Sequence, residues 1–317
     1  MPHYAEAARR AEAADAGDGL PNEGDPVPTG LLSPTSTVRP THLCELVGKQ
    51  LRHLREARGI SAEAAGCHLG ASRSKISRIE TGEVRVKEDD LYRLLDLYRV
   101  DEARERSAVF DLVCRTYNRQ WWHDYGDVLD DWFCSYLALE PSARTIRTYE
   151  RDFVPGLLQT RAYAEAVIRL RYTDETEIQR RADVRMQRQR MLRGRSAPQL
   201  WAVVNDAALC QDVGNEEVMC EQIEYLIQAT NRLNVQIQVL PIATATRAAT
   251  GSNSFTILRL PTTGLLDVVY LEQIESALYF SNVNQCDSYK ATMDQICIVA
   301  KRPDETVPSL RAILARR

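Results

Sequence analysis

From residue 43 onward, apolar positions recur at helical spacing. Leu43, Val47, Leu51 and Leu54 fall on one face and predict a helix over Leu43–Arg58. Gly59 follows, in the usual place for a glycine after a helix end. Ser61 is a good N-cap for a second helix, with Glu63 in its first turn favouring the dipole. That helix ends near Leu69-Gly70. Ser72 caps a third, which runs to Glu80 and closes at Thr81-Gly82. A fourth is predicted over Lys87–Arg99, with Leu91, Leu94, Leu95 and Tyr98 on one face. Residues 101–140 read as more helix, then an aromatic stretch at Trp121, Trp122, Tyr125, Trp132 and Phe133.

Beyond Pro141 the period changes. Strands are predicted over Arg144–Glu150, Leu200–Asn205, Val235–Leu240, Ser254–Leu260 and Val268–Glu272. Residues 235–239 alternate strictly, so one face should be buried and the other wet. Helices are predicted over Gly156–Arg171, Glu175–Arg193, Glu216–Ala229, Gln285–Ala300 and Pro308–Ala315. The first forty residues are interrupted by Pro21, Pro26, Pro28, Pro34 and Pro40 and predict a disordered tail, with room for a short helix over Tyr4–Ala14. The expected fold class is multidomain: an all-α N-terminal helix-turn-helix bundle followed by an α+β C-terminal domain. Its parts are a tail (1–40), the helix-turn-helix domain (41–100), a helical connector (101–140) and the α+β domain (141–317).

Composition fits a globular chain, with 44% hydrophobic and 26% charged residues, enough apolar material for a sizeable core. The net charge of −4 is unevenly spread. Between Lys49 and Lys87 there are nine Lys or Arg against four Asp or Glu, a local +5, which leaves −9 for the rest. A short basic segment inside an acidic chain is the electrostatic footprint of a nucleic-acid contact. The eight cysteines form no C-x-x-C pair and are too sparse for a disulfide scaffold, so reduced, mostly buried thiols are expected. No apolar run approaches the roughly 18 residues of a membrane span, and no signal-peptide core opens the chain. A cytoplasmic location with no membrane partner is the expectation.

Two short helices joined by a tight turn at Gly70 can set the second into the major groove. The third helix exposes Arg73, Ser74, Lys75, Ser77 and Arg78, while Ile76 and Ile79 point into the core. Base contacts are assigned to Arg73, Ser74 and Arg78, because a guanidinium can donate two bonds to guanine O6 and N7. Phosphate contacts are assigned to Ser61, Ser72, Lys75, Ser77 and Arg85, where charge and free N-terminal N–H groups matter more than base geometry. The segments L-R-x-L-R-E-A-R-G-I-S (51–61) and S-R-S-K-I-S-R-I-E-T-G (72–82) resemble the lambda-repressor-like (Xre) helix-turn-helix family. The resemblance implies an ion pair between Arg55 and Glu80 that orients the motif. The family often has Gln at the second residue of its second helix; this chain has Ala62. Two other readings share the pattern: a helical bundle with a solvated basic face, and a helix-turn-helix that binds protein.

From about Trp132 the chain resembles a domain found in many actinobacterial Xre-type regulators. The matching blocks are Arg144–Glu150, Val154–Ala164, Leu200–Val204, Asn234–Pro241 and Asp267–Glu272. The resemblance implies a regulator of an antitoxin-like class, associated with sporulation and secondary metabolism and paired with a small companion protein encoded nearby. Double-stranded DNA and a second copy of the chain are the expected partners. An antitoxin-like interaction module and a small-molecule-controlled regulator are the alternatives. The residues themselves offer little catalytic chemistry. Histidines stop at His123, so the α+β domain has no imidazole for acid–base work, and the chain is not expected to be an enzyme. Neither phosphate-binding nor dinucleotide-binding glycine motifs are present. No cofactor and no metal are expected, since Cys44, His53, Cys67 and His68 match no zinc spacing. Asp130-Asp131 read as solvated. Trp121-Trp122 fit core packing between domains better than a ligand pocket. Seven arginines between Arg180 and Arg195 read as a solvated face by default, with DNA backbone or an acidic partner as alternatives.

Overall fold

The apolar stripe of residues 43–54 becomes the buried side of helix α1 (His42–Ala57). Helices α2 (Ala62–Leu69), α3 (Arg73–Glu80), α4 (Glu88–Leu97) and α5 (Ala103–Tyr117) follow. The computed structural model describes residues 42–117, 120–194, 196–248, 253–260 and 267–317. The expected tail over 1–40, its helix over Tyr4–Ala14 and Arg195 lie outside these residues. A 3₁₀ turn (Trp121–Tyr125), helix α6 (Asp131–Leu139) and a second 3₁₀ turn (Glu140–Ser142) lead to the sheet. Trp122 is buried in the main core and Trp121 is half-buried against it.

Among the described residues, six strands build one mixed sheet: β1 (Thr145–Glu150), β2 (Gln199–Asn205), β3 (Val235–Leu240), β4 (Phe255–Arg259), β5 (Asp267–Glu272) and β6 (Ala277–Phe280). Their order is β3-β2-β1-β4-β5-β6. The β3-β2-β1 half is parallel, and its crossovers carry α7 (Arg161–Arg169), α8 (Glu175–Arg188), α9 (Asp206–Cys210) and α10 (Glu216–Ala229). The β4-β5-β6 half is an antiparallel meander joined antiparallel to β1. Helices α11 (Ile242–Ala248), α12 (Val283–Val299) and α13 (Pro303–Leu314) complete the domain. The chain is therefore a helical N-terminal bundle followed by an α+β region.

One hydrophobic cluster runs without a break from Leu43 in α1 to Val268 in β5 and Leu310 in α13. A second cluster fills the opposite side of the sheet, under Cys286, Met293 and Ile296 of α12. This second layer overturns the expectation of a wet face on β3. Gln238 is buried there, accepts a bond from Trp201 Nε1 at 2.7 Å and donates to Lys301 O at 2.8 Å. A strand covered on both faces can keep a polar residue only by satisfying it.

Three further differences have local causes. The helix expected over 156–171 is split into a 3₁₀ turn at Gly156–Leu158 and α7. The buried Gln222 side chain accepts from Thr160 N–H and donates to Leu158 O, both at 2.7 Å, so those groups bond outside a helix. The last helix begins at Pro303, with Pro308 inside it; Pro fits the first helical position because that N–H has no helical partner. Of the cysteines, only Cys44 and Cys286 are buried, while Cys67 and Cys210 are exposed and the other four half-buried; all eight are free thiols. A thiol can lie on a helix face toward solvent, so sparse spacing alone does not imply burial.

Candidate nucleic-acid interface

Helix α3 is fixed first by its caps. Ser72 Oγ accepts from Lys75 N–H at 3.3 Å, and Ser61 Oγ does the same for Ala64 N–H of α2 at 3.0 Å. Between them Gly70 turns the chain in the left-handed region (φ 66°), which glycine adopts without steric cost. Arg93 of α4 donates to the carbonyls of His68 and Leu69, closing the C-terminal end of α2.

The far end of α3 lies unusually close to α1. A Cβ on Gly48 would sit 2.4 Å from Ile79 O, and one on Gly82 (φ 77°) would sit 2.5 Å from Glu45 N. Only glycine permits this approach. Arg55 then fastens the two helices: its Nε donates to Glu80 Oε1 at 2.6 Å and its Nη2 to Glu80 Oε2 at 2.9 Å. Its remaining Nη1 donates to Ile60 O at 2.7 Å. Both side chains are buried, and the bond to Glu80 raises the pKa of Arg55. The pair is bidentate and has a further hydrogen bond, the condition under which a buried ion pair is tolerated.

With Ile76, Ile79 and Glu80 turned inward, α3 presents Arg73, Ser74, Ser77 and Arg78 to solvent. Among the described residues no group pairs with Arg73. Arg78 Nε lies 3.5 Å from Glu83 Oε2, with both side chains more than half exposed. Lys75 is placed differently from a free cation, since its Nζ lies 2.6 Å from Asp90 Oδ2 on α4. Arg85 stacks over the Tyr117 ring at 5.3 Å. Ser61 and Ser72 are exposed at the two helix starts. Sequence reasoning missed Gly48, whose mid-helix position without a turn is the usual sign of close backbone approach, and missed Asp90 and Glu83, which lie beside Lys75 and Arg78.

Of the arginines of 180–193, Arg190 and Arg193 are exposed, while Arg180, Arg181, Arg185 and Arg188 are bonded to other side chains. Arg180 bonds Asp127 through Nη2 at 2.6 Å and Nε at 2.8 Å, and also reaches Asp124 O. Arg181 bonds Glu177 at 2.8 Å and lies 3.9 Å over Tyr172. Arg188 donates to both oxygens of Glu140, at 2.5 and 2.7 Å, while Tyr136 Oη donates to the same carboxylate at 2.8 Å. Glu140 is 0% exposed. Burial alone lowers the Arg188 pKa, yet the Glu140 charge raises it overall. Arg185, bonded to Gln159 Oε1 at 2.6 Å, is pushed down to about 10 by burial. Helix α8 thus clasps the connector to the sheet. The Asp130 and Asp131 side chains are exposed. Among the described residues no group of three or more His, Cys, Asp or Glu is placed to hold a metal ion, and no helix is long and apolar enough to cross a membrane.

A short helix seated on a neighbour, with an outward cationic face, defines a helix-turn-helix of the DNA-binding regulator class. Residues 46–108 match the family model described as Helix-turn-helix domain. Residues 133–312, more than half the chain, match the family described as Domain of unknown function (DUF5753), and the chain belongs to that family. No curated protein and no solved structure matches it.

Proposed function

We propose that this chain is a sequence-specific transcription regulator that works as a homodimer, with α3 of each copy in the major groove. The observation that carries this reading is the orientation of α3. Gly48, Gly82 and the Arg55–Glu80 pair fix one side of the helix, and Arg73, Ser74 and Arg78 occupy the other. Arg73 and Arg78 then bond guanine edges and Ser74 a base or sugar-phosphate oxygen. Ser61, Ser72, Lys75, Ser77 and Arg85 contact phosphates, with Lys75 exchanging Asp90 for the DNA. Eight free thiols agree with action in the reducing cytoplasm.

The α+β domain has a route to the reading helix through α1. One side of α1 carries Gly48 and Arg55 against α3. The other side places Leu43, Leu46, Val47 and Gln50 opposite Leu112, Leu139, Leu260 and Val268 around a narrow apolar gap. A partner or effector that shifts the sheet face therefore acts on the bed of α3, and this is the signal-receiving role we assign to the domain.

Selection of bound sites from random duplexes, followed by titration, tests the reading. Arg73→Ala and Arg78→Ala should each cost about 1–3 kcal/mol of preference for the selected site while leaving the melting temperature unchanged. Unaltered preference in both variants would remove the base-reading assignment.

A further inference from the structure

The two edges of the sheet are treated differently. At β3 the chain covers its own edge: Lys301 N–H donates to Val239 O at 2.8 Å and Thr306 Oγ1 to Ile237 O at 2.6 Å. At the other end, β6 has a strand on one side only among the described residues. Soluble proteins usually guard such an edge with charge or proline. From Ser276 to Val283 this chain has neither. Instead Leu278 is 40% exposed on the strand, with Ile274 (78%) in the turn before it and Val283 (53%) at the start of α12 after it.

Beside the end of β6 lies a cleft of about 370 Å³. One wall is α1, through Lys49, Arg52 and His53; the other is Ser281, Asn282 and Val283. Arg52 is shared with Glu56 at 2.7 Å. The opposite end of β6 is the hairpin turn from β5, closed by Gln273 N–H on Ser276 O at 2.9 Å, and it carries the exposed Glu275. The strand therefore has an acidic end and a basic end, the arrangement an isologous interface needs to match itself.

We infer that β6 is the homodimer interface: two copies pair their β6 strands antiparallel about a two-fold axis at Leu278, and the turn bearing Glu275 enters the other copy's basic cleft. This register sets Leu278 against Leu278 and Glu275 opposite Ser281, which lines the cleft. Leu278 is buried, and Glu275 gains Lys49 as a partner. The sheet becomes continuous across twelve strands. The inference rests on the dimer reading above and supplies its geometry.

Sedimentation of the full chain without DNA tests it. Leu278→Lys opposes two like charges on the axis and should raise the dimer dissociation constant about 100-fold, the size of a like-charge clash at an interface. Glu275→Lys should weaken the dimer about tenfold, and adding Lys49→Glu with Arg52→Glu should restore it, a result that misfolding cannot produce. A Leu278→Lys protein that stays dimeric, or a charge exchange that fails to restore, overturns the edge while leaving the dimer reading intact. A wild-type chain that sediments as a monomer overturns both, and leaves base preference through Arg73 as a separate matter.

Discussion

The helix-turn-helix and the α+β domain each contain a buried arginine–glutamate pair, and the two pairs have opposite surroundings. Arg55–Glu80 lies between two helices of one small bundle, 25 residues apart in sequence, and its function is to hold α3 at a fixed angle. Arg188–Glu140 joins a connector to a crossover helix 48 residues away, with a tyrosine hydroxyl on the same carboxylate and aromatic rings beneath the guanidinium. The first pair leaves the outer arginines of its segment for a ligand. The second belongs to a helix whose four arginines all bond to side chains of the protein, Arg180 at the surface and Arg188 inside. Basic character in a sequence is thus no measure of available charge: α3 and α8 are both arginine-rich, yet Arg73 has no partner among the described residues while all four arginines of α8 are bonded to other side chains.

The comparison can be broken most directly by removing one member of each pair. Arg188→Ala leaves Glu140 fully buried with the Tyr136 hydroxyl but no cation beside it, and should cost about 3–5 kcal/mol in denaturant unfolding. Glu80→Ala leaves Arg55 with Ile60 O and with the Glu56 carboxylate 3.5 Å away, so a counter-charge remains and the loss should fall at or below the lower end of that range. A larger loss for Glu80→Ala would reverse the ranking. A smaller effect sharpens the role of α1. Gln50 Nε2 is buried at the α1–sheet contact with no hydrogen-bond partner among the described residues. Gln50→Leu should stabilise the chain by about 1 kcal/mol, the lower end of the penalty for an unmade buried bond, and a decrease in melting temperature would show that the amide is needed there. The smallest effect depends on pH. Burial pushes the Glu150 carboxyl at the end of β1 up to about 7. Its folded-state value exceeds the unfolded one, so folding is penalised as the group must ionise, and stability falls as pH rises from the ordinary carboxylate range to about 7. Glu150→Gln should therefore raise the melting temperature more at pH 8 than at pH 5; an equal gain at both would remove burial as the cause.

Much of the helical region was legible in the sequence. Its signals are local: Ser61 and Ser72 as caps, Gly59 and Gly70 as stops, and an apolar residue every three or four positions. The five predicted strands also lie close to observed ones, because β-branched runs bounded by turns predict strands. Strand β6 escaped notice because it is four residues long and follows a turn with neither Gly nor Pro. The roles of the α8 arginines were illegible for a different reason. Nothing near Arg188 in sequence indicates that Glu140 folds back onto it, and a charge run is the same string whether it faces water or a buried carboxylate. The split before α7 likewise depends on Gln222, some sixty residues downstream. On the reading face the exposed cations were found, but not the acids opposite them, since Asp90 reaches Lys75 only after α4 is packed.

That last contact bears on how the protein would respond to salt. A cation that binds phosphate normally releases a small ion from the DNA, and each such contact adds about 0.9 to the logarithmic salt slope. Lys75 already has Asp90 as an attached counter-ion that cannot diffuse away. On the proposed reading, moving Lys75 to the DNA backbone leaves that aspartate beside the duplex, so the contact adds less to the slope than one made by a cation with no such partner. A face built this way would hold a duplex in position with little of the indiscriminate attraction that a bare basic patch exerts on any polyanion.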